Sequence, residues 1–168
     1  MKVAFCDRDG TLIKDYPDED WRFIEEPEFF EDTVATLHEL RKRDYEIIVI
    51  SNQYLIGEGY ITQEHYDMLA KKFLEYLTNA NISILNVYYC PHRREEGCSC
   101  IKPNTGMAER ALVEYPTIDM EKSFVVGNTS VDIELARNLG MKSFGLEVVS
   151  DYCQNTNIKR LNALLKYV

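Results

Sequence analysis

The chain has 168 residues, of which 45% are hydrophobic and 28% are charged, and its formal net charge is −9. This length and apolar content predict one globular domain over residues 1–168 with a substantial core. Because no run of lysine or arginine offsets the excess acid, the charge argues against a general nucleic-acid-binding protein. The sequence shows no signal-peptide pattern and no apolar stretch of membrane-spanning length, so we expect a cytoplasmic protein with no membrane partner.

The first predicted element is a buried strand at residues 3–6, which ends in two aspartates. A short, continuous apolar run is typical of a parallel strand covered on both faces. Asp7 and Asp9 are one residue apart, so an extended backbone points both carboxylates the same way, and Gly10 allows a sharp turn behind them. Such carboxylates suit Mg²⁺, and one of them could accept a phosphoryl group. An acidic turn without chemistry is the alternative.

Helix and strand patterns alternate after this strand. Residues 14–27 are acidic and aromatic and predict an irregular loop, either covering the strand end or simply solvated. Apolar spacing predicts a helix over 31–43, and the β-branched run at 45–50 predicts a second strand. Ser51 and Asn52 follow this strand. The Ser51 hydroxyl is suited to donate to a phosphate oxygen, with an ordinary turn residue as the alternative.

The third strand leads into a cluster of metal-binding residue types. Thr62 is a good N-cap for a helix running to about residue 79, and residues 84–89 predict the strand. A C-x-H pair and a C-x-C pair then follow in the sequence, formed by Cys90, His92, Cys98 and Cys100. Three thiolates and an imidazole match a closed tetrahedral Zn²⁺ site, which would be structural because no position stays open for substrate. A disulfide or free thiols are the alternatives.

The next two strand ends carry further polar residues. Lys102 precedes a helix that begins near residue 104, and its ammonium could hold a phosphate or lie unused on the surface. Residues 123–126 predict the fourth strand. Asn128 and Asp132 follow it, and they could complete a metal site or cap the next helix.

The end of the chain predicts a fifth strand at 142–146 and a closing helix at 157–168. The whole series predicts an α/β fold of the Rossmann-like kind, with three layers (α/β/α), a mainly parallel sheet and a zinc-stabilised loop. The segments after the first and third strands are short, so we expect no large cap domain.

Four successive strand ends thus carry two acids, a hydroxyl, a lysine, and an amide with an acid. This series resembles the haloacid dehalogenase superfamily of phosphatases. The two cysteine-containing pairs ahead of Lys102 and Pro103 resemble more narrowly the D-glycero-D-manno-heptose 1,7-bisphosphate phosphatases and the related histidinol-phosphate phosphatases. The resemblance spans nearly the whole chain, from the D-R-D-G-T motif at residues 7–11 to Val126 and Gly127.

The resemblance implies a Mg²⁺-dependent phosphomonoester hydrolase acting on a small phosphorylated metabolite. The substrate would be a sugar phosphate, a compound like heptose bisphosphate, or a polyol or amino-alcohol phosphate. Asp7 would attack phosphorus and form an aspartyl-phosphate. Asp9 would protonate the leaving alcohol and then deprotonate the hydrolytic water.

The resemblance also implies the remaining site residues. The phosphoryl group and substrate would be bound by Ser51, Asn52 and Lys102. Mg²⁺ would be bound by the Asp7 carboxylate, the Asp9 backbone carbonyl and Asn128, with Asp132 as a substitute ligand. The structural Zn²⁺ would be bound by the two cysteine-containing pairs.

Three departures from the family pattern bear on the substrate. Asn128 stands where the family usually has an aspartate, which replaces a charged metal ligand by a neutral amide. Ile101 and Glu58 stand where arginines are common, so the chain lacks two positively charged side chains that could bind a second phosphate. We therefore expect a smaller or singly phosphorylated substrate. We also expect a monomer.

A rival interpretation is a catalytically impaired relative that binds a phosphorylated ligand or a protein partner. A phosphotransferase or mutase would need a second pocket that the sequence does not reveal.

Overall fold

The computed structural model describes residues 1–168, and its centre is one sheet of six strands. They are β1 (Lys2–Cys6), β2 (Tyr45–Asn52), β3 (Asn86–Cys90), β4 (Phe124–Gly127), β5 (Lys142–Leu146) and β6 (Asn155–Ile158). The order across the sheet is β3-β2-β1-β4-β5-β6, and every neighbouring pair is parallel. The predicted α/β fold with a parallel sheet is confirmed.

Helices connect the strands. The α-helices are α1 (Thr33–Lys42), α2 (Tyr54–Gly57), α3 (Gln63–Asn79), α4 (Gly106–Glu114) and α5 (Ser130–Leu139). Three 3₁₀ segments lie at Asp18–Phe23, Met120–Lys122 and Leu161–Lys166. None of the helices has both the length and the apolar composition needed to cross a membrane.

The sheet separates two apolar cores, which explains the continuous apolar run of β1. Ala4 and Cys6 face the core that also contains residues of α1 and α3, whereas Val3 and Phe5 face the core that contains residues of α4 and α5. Alternate side chains of a strand point to opposite faces, so a strand covered on both faces must be apolar throughout. The predicted three-layer arrangement follows.

The strand order leaves a crevice at the carboxyl ends of β1 and β4. From β1 the chain moves outward through β2 and β3, then returns to β4 on the other side of β1 and moves outward again. At such a reversal the connections that follow the two neighbouring strands run in opposite directions and leave a crevice between them. Open α/β sheets bind ligands in this crevice. Asp7 lies at this point, where its backbone N–H donates to the Val126 carbonyl at 2.9 Å.

The predicted closing helix over 157–168 is wrong. Residues Asn155–Ile158 form β6 beside β5, and only the 3₁₀ segment Leu161–Lys166 follows. The apolar spacing did identify buried side chains, since Ile158, Leu161 and Leu164 are all buried. The edge of β5 offers backbone hydrogen-bonding groups, and pairing with a short strand provides hydrogen-bond partners for the backbone of both strands.

The predicted irregular loop over 14–27 contains an ordered part. Its 3₁₀ segment Asp18–Phe23 buries Trp21. The loop therefore packs against the domain instead of being only a solvated connection.

Candidate active site

Three charged side chains meet at the carboxyl ends of β1 and β4, and we call Asp7, Lys102 and Asp132 the charged cluster. Lys102 Nζ lies 2.6 Å from Asp7 Oδ1 and 2.7 Å from Asp132 Oδ1. It also donates to the Ile50 carbonyl at 3.0 Å. The side chains of Lys102 and Asp132 are 2% and 1% exposed. All three ammonium donors have acceptors, so this buried cation is fully hydrogen-bonded.

Burial changes the charge states in this cluster. It raises the pKa of Asp7 from 3.8 to about 7, and the attraction of Lys102 lowers this pKa only in part. Burial would also lower the pKa of Lys102, but the charges of Asp132 and Asp7 outweigh it, so that the pKa is raised. Lys102 therefore stays a cation, whereas the negative charge of Asp7 is stabilised less than the positive charge of Lys102. A carboxylate left in this state is suited to react with an incoming electrophile.

The Asp9 carboxylate lies beside the charged cluster and is held by three side chains. Arg8 Nε and Nη2 donate to its two oxygens at 2.8 and 3.1 Å. Gln53 Nε2 donates to Oδ2 at 2.6 Å, and the Ser51 hydroxyl lies 3.4 Å from the same atom. Ser51 is thus buried next to Asp9, at the end of β2 as the sequence predicted.

Oxygen atoms suited to Mg²⁺ converge at Thr11. Its hydroxyl lies 3.0 Å from Asp7 Oδ2 and 3.3 Å from Asn128 Oδ1. Gly10 makes this approach feasible, because it has φ +85° and an added Cβ would lie 2.1 Å from Asn128 Nδ2. Both oxygens thus approach the same hydroxyl, and carboxylate and amide oxygens are ligand types that a hard divalent cation such as Mg²⁺ accepts.

Asp132 is engaged elsewhere. Its Oδ2 accepts from the Thr129 N–H at 3.1 Å and the Thr129 hydroxyl at 2.6 Å, while its Oδ1 faces Lys102. These contacts form the capping box of α5. The structure therefore gives Asp132 the capping role that the sequence offered as an alternative, together with a contact to Lys102.

The reacting groups open onto a cleft of about 120 Å³. Its lining includes Asp7, Asp9, Lys102 and Asn128, with Trp21 and Tyr54 at other points of the wall.

A larger cavity of about 700 Å³ lies beyond Asn128. It contains neither Asp7 nor Lys102, so its size does not make it the reaction site. The smaller cleft is the candidate active site because Asp7, Asp9 and Lys102 line it.

Asn52 lines the same cleft and braces Lys102. Its Nδ2 donates to the Lys102 carbonyl at 3.1 Å, and the Lys102 N–H donates to its Oδ1 at 2.8 Å. This reciprocal pair ties the end of β2 to the segment that carries the lysine.

A second cluster lies at the end of β3, and we call Cys90, His92, Cys98 and Cys100 the thiol cluster. Their candidate ligand atoms all lie within 4.8 Å of one another. Cys100 Sγ is 2.8 Å from Cys90 Sγ, 3.1 Å from His92 Nδ1 and 3.6 Å from Cys98 Sγ. Ligand atoms around tetrahedral Zn²⁺ lie roughly 3.5 Å apart, so the set fits this ion.

Two further observations support metal binding by the thiol cluster. All its cysteines are free in the structure, and none is joined as the disulfide alternative would require. Burial opposes ionisation of Cys98, but backbone N–H groups of Ile101 and Cys100 and the neighbouring thiols lower its pKa to about 7. A thiolate is the form that binds zinc.

Arg94 connects the loop of the thiol cluster to the cleft wall. Its guanidinium pairs with Glu58 at 2.5 Å and with Asp18 at 3.1 Å, and it lies 4.2 Å from the Tyr54 ring centroid. Tyr54 also donates to Asp18 at 3.0 Å. Glu58 is therefore neutralised by Arg94, a contact that sequence reasoning missed because the two residues are distant in the chain.

Sequence reasoning also missed Arg8, Thr11 and Gln53. Arg8 lies between Asp7 and Asp9, and Gln53 follows Asn52 at the end of β2. The side-chain types of these two gave a signal, because a buried strand end seldom carries an arginine or an amide without a partner.

Comparisons with known proteins agree with this geometry. A profile of the family described as "Polynucleotide kinase 3 phosphatase" matches residues 2–152. The chain is 36% identical over 142 residues to a probable D-glycero-D-manno-heptose-1,7-bisphosphate 7-phosphatase of Thermoplasma acidophilum, covering 84% of this chain and 87% of that relative.

A second relative and a solved structure extend the comparison. The chain is 35% identical over 144 residues to the histidine biosynthesis bifunctional protein HisB of Campylobacter jejuni subsp. doylei, covering 84% of this chain but only 40% of HisB. The crystal structure of D,D-heptose 1,7-bisphosphate phosphatase from B. bronchiseptica, complexed with magnesium and phosphate, superimposes with a TM-score of 0.86. It covers 99% of this chain and 97% of that one at 19% identity, and so supports the fold.

Proposed function

We propose that this chain, which belongs to the haloacid dehalogenase superfamily with the heptose-bisphosphate and HisB-type phosphatases, is a Mg²⁺-dependent hydrolase. Its substrate would be a small, singly phosphorylated sugar, polyol or amino alcohol. The relatives make it a phosphatase. The rest of the proposal is carried by one observation: the Asp7 carboxylate faces a cleft with Lys102 Nζ at 2.6 Å and Asp9 two residues away.

In the first step Asp7 attacks phosphorus. A bond forms between its carboxylate oxygen and phosphorus while the bond to the alcohol oxygen breaks, and Asp9 gives that oxygen a proton. Lys102 supplies positive charge to the transferring group, because its ammonium stays protonated. Asn52, which lines the cleft, and Ser51, which is buried behind it beside Asp9, are the other residues that we propose for phosphate binding.

In the second step a water molecule attacks the phosphorus of the aspartyl-phosphate, and Asp9 takes its proton. Inorganic phosphate leaves and the Asp7 carboxylate is restored. Bound Mg²⁺, held by Asp7, the Asp9 carbonyl and Asn128, would offset the repulsion between the carboxylate and the phosphate dianion. The approach of Asp7 and Asn128 oxygens to the same Thr11 hydroxyl supports these two members of the ligand set.

The charges around the cleft favour one phosphate over two. Arg8 is paired with Asp9, and Arg94 with Glu58 and Asp18, so these cations are already committed. Asp15 adds a carboxylate to the cleft wall. Lys102 is the one cationic residue in the lining of this cleft, so a second phosphate inside the cleft would meet the acid without a cation of its own.

We further propose that residues 1–168 act as one hydrolase domain and that Zn²⁺ in the thiol cluster has a structural role. Four ligands from the protein would leave no position for substrate. The cytoplasmic location and the monomeric state stay predictions of the sequence.

The test is phosphate release from phosphorylated sugars, polyols, histidinol phosphate and heptose 1,7-bisphosphate, with and without Mg²⁺. We expect release that requires Mg²⁺ and falls at least about 10⁴-fold in Asp7→Asn, because the nucleophile is lost. Glu121→Gln is the matched control, since it makes the same chemical change at an exposed residue outside the cleft.

The alternatives predict different results. Release that persisted in Asp7→Asn would exclude the proposed nucleophile, and clear preference for heptose bisphosphate would exclude the proposed substrate class. No release from any compound by the folded protein would favour the binding role that Asn128 suggests.

A further inference from the structure

Two buried side chains bind the Asp9 carboxylate on the side that faces the protein interior. Arg8 Nε donates to Asp9 Oδ1 at 2.8 Å, and Gln53 Nε2 donates to Oδ2 at 2.6 Å. Arg8 and Gln53 are 2% and 0% exposed, whereas the Asp9 side chain is 14% exposed and lines the cleft. The carboxylate is therefore anchored on its protein side and open on the side where substrate would bind.

Arg8 is itself fixed by two aromatic rings. Its guanidinium carbon lies 5.9 Å from the Trp21 ring centroid and 5.3 Å from that of Tyr66. Both rings are buried, one in the 3₁₀ segment Asp18–Phe23 and the other in α3. Cation–π contacts and burial leave this guanidinium little freedom. The loop over 14–27 thus helps to set the position of Asp9.

Gln53 combines useful donors with an unfavourable acceptor. Its Nε2 donates to Asp9 and also to the Ser51 hydroxyl at 2.7 Å. Its Oε1 has no partner, although the atom is buried. A buried acceptor without a donor destabilises the folded state. Methionine has a similar size and would avoid this penalty, so what the amide contributes here is its donors to Asp9 and Ser51.

We propose that Gln53 and Arg8 are positioning residues that hold the Asp9 carboxyl at the oxygen of the leaving alcohol. They act through Asp9 and do not touch the reacting phosphorus. The inference rests on the proposed function, because it requires Asp9 to protonate the leaving group. It predicts that losing either residue impairs only reactions whose leaving group needs that proton.

Two substrates separate this role from a general structural one. An alkyl phosphate releases an alkoxide that needs a proton, whereas p-nitrophenyl phosphate releases a stable phenolate that does not. The ratio kcat/KM reports the steps up to formation of the aspartyl-phosphate, before Asp9 acts on water. Comparing this ratio for the two substrates therefore isolates the acid step.

The variants are Gln53→Met and Arg8→Lys, tested with p-nitrophenyl phosphate and with the alkyl phosphate that wild type hydrolyses fastest. For Gln53→Met we expect kcat/KM to fall about 100-fold for the alkyl phosphate and to stay within about threefold for p-nitrophenyl phosphate. Its melting temperature, compared with that of wild type, shows whether the variant is folded. Arg8→Lys keeps the charge but loses the two-pronged contact, so its alkyl-phosphate loss should be smaller.

Thr36→Val is the control. Thr36 is buried and donates to the Asp32 carbonyl at 2.7 Å, outside the cleft. It should lower stability and leave both kcat/KM values unchanged.

Equal losses of kcat/KM for both substrates in Gln53→Met would overturn the inference and indicate a structural role. So would unchanged values for both, or the same pattern in Thr36→Val. If wild type shows no hydrolysis that depends on Asp7, the proposed function itself falls. The Asp7→Asn protein run in parallel tells these results apart.

Discussion

The charged cluster lies at the ends of β1 and β4 and the thiol cluster at the end of β3, but the two are held in opposite ways. Lys102 and the two carboxylates are buried, and strand ends and a helix cap fix each of them. In the thiol cluster only Cys90 is buried in a strand, and residues 93–97 of its loop are all exposed.

This difference shows what each region needs. The charged cluster is positioned by the fold, and what binds it can leave after reaction. The loop of the thiol cluster has almost no apolar core of its own, so a bound metal ion would have to supply its stability. One region is therefore suited to turnover and the other to permanent binding.

The largest effect should come from Lys102→Met, which leaves two buried carboxylates facing each other. We expect kcat to fall roughly 10³-fold, because the charge that meets the phosphoryl group is lost. The free energy of unfolding at neutral pH should fall by about 3 kcal/mol, because a buried pair loses its cation. Phosphate release and urea unfolding measure these effects. Lys159→Met, at an exposed lysine, is the control, and equal losses there would contradict the assignment.

Cys100→Ser tests whether the thiol cluster depends on metal. We expect the bound zinc to be lost and hydrogen exchange to rise over residues 91–104, while β1 and β2 stay protected. Native mass spectrometry and hydrogen exchange are the measurements, with Cys153→Ser at an exposed cysteine as the control. Loss of protection throughout the sheet would show that the two regions are not independent.

A pH series in Mg²⁺-free buffer tests the burial of Asp7. Burial raises the pKa of Asp7 from 3.8 to about 7, so the folded protein keeps a proton that the unfolded chain releases at lower pH. The contribution of this residue to stability therefore falls as pH rises from about 4 to about 7. Asp7→Asn cannot titrate, so its stability relative to wild type should be greater at about pH 8 than at about pH 5. Urea midpoints that moved the opposite way would contradict this charge state.

The smallest effect should come from Arg94→Met, at the contact between the two regions. Its ion pairs are partly exposed, so unfolding free energy should change by less than about 1 kcal/mol, and less still at high salt. Thermal melting at two salt concentrations measures this. A large loss would mean that the loop of the thiol cluster supports the cleft wall, and the sharp division between the regions would be wrong.

Local patterns predicted most of the fold. Five of the strands and the main helices lie near their predicted places, because apolar periodicity and caps act over a few residues. The end of the chain failed for the same reason. Ile158, Leu161 and Leu164 fit a helical period, but residues Asn155–Ile158 pair with the edge of β5, and an apolar period does not record which strand edges lack a partner.

Within the candidate site, the sequence by itself determined that Asp7, Ser51 and Asn128 stand at the ends of β1, β2 and β4. Parallel strands end at one edge, so these residues must come near each other once the strand order is set. Lys102 lies well past the end of β3 at Cys90, beyond the loop of the thiol cluster.

Only the tertiary structure decided which side chains pair. Asp132 contacts Lys102 and caps α5. Gln53 and Arg8 donate hydrogen bonds to Asp9, and Arg94 pairs with Glu58. Contacts in this site join residues as far as 95 positions apart, as between Lys102 and Asp7, and 117 positions apart, as between Thr11 and Asn128. Their geometry depends on packing and burial summed over the whole domain, which no local pattern records.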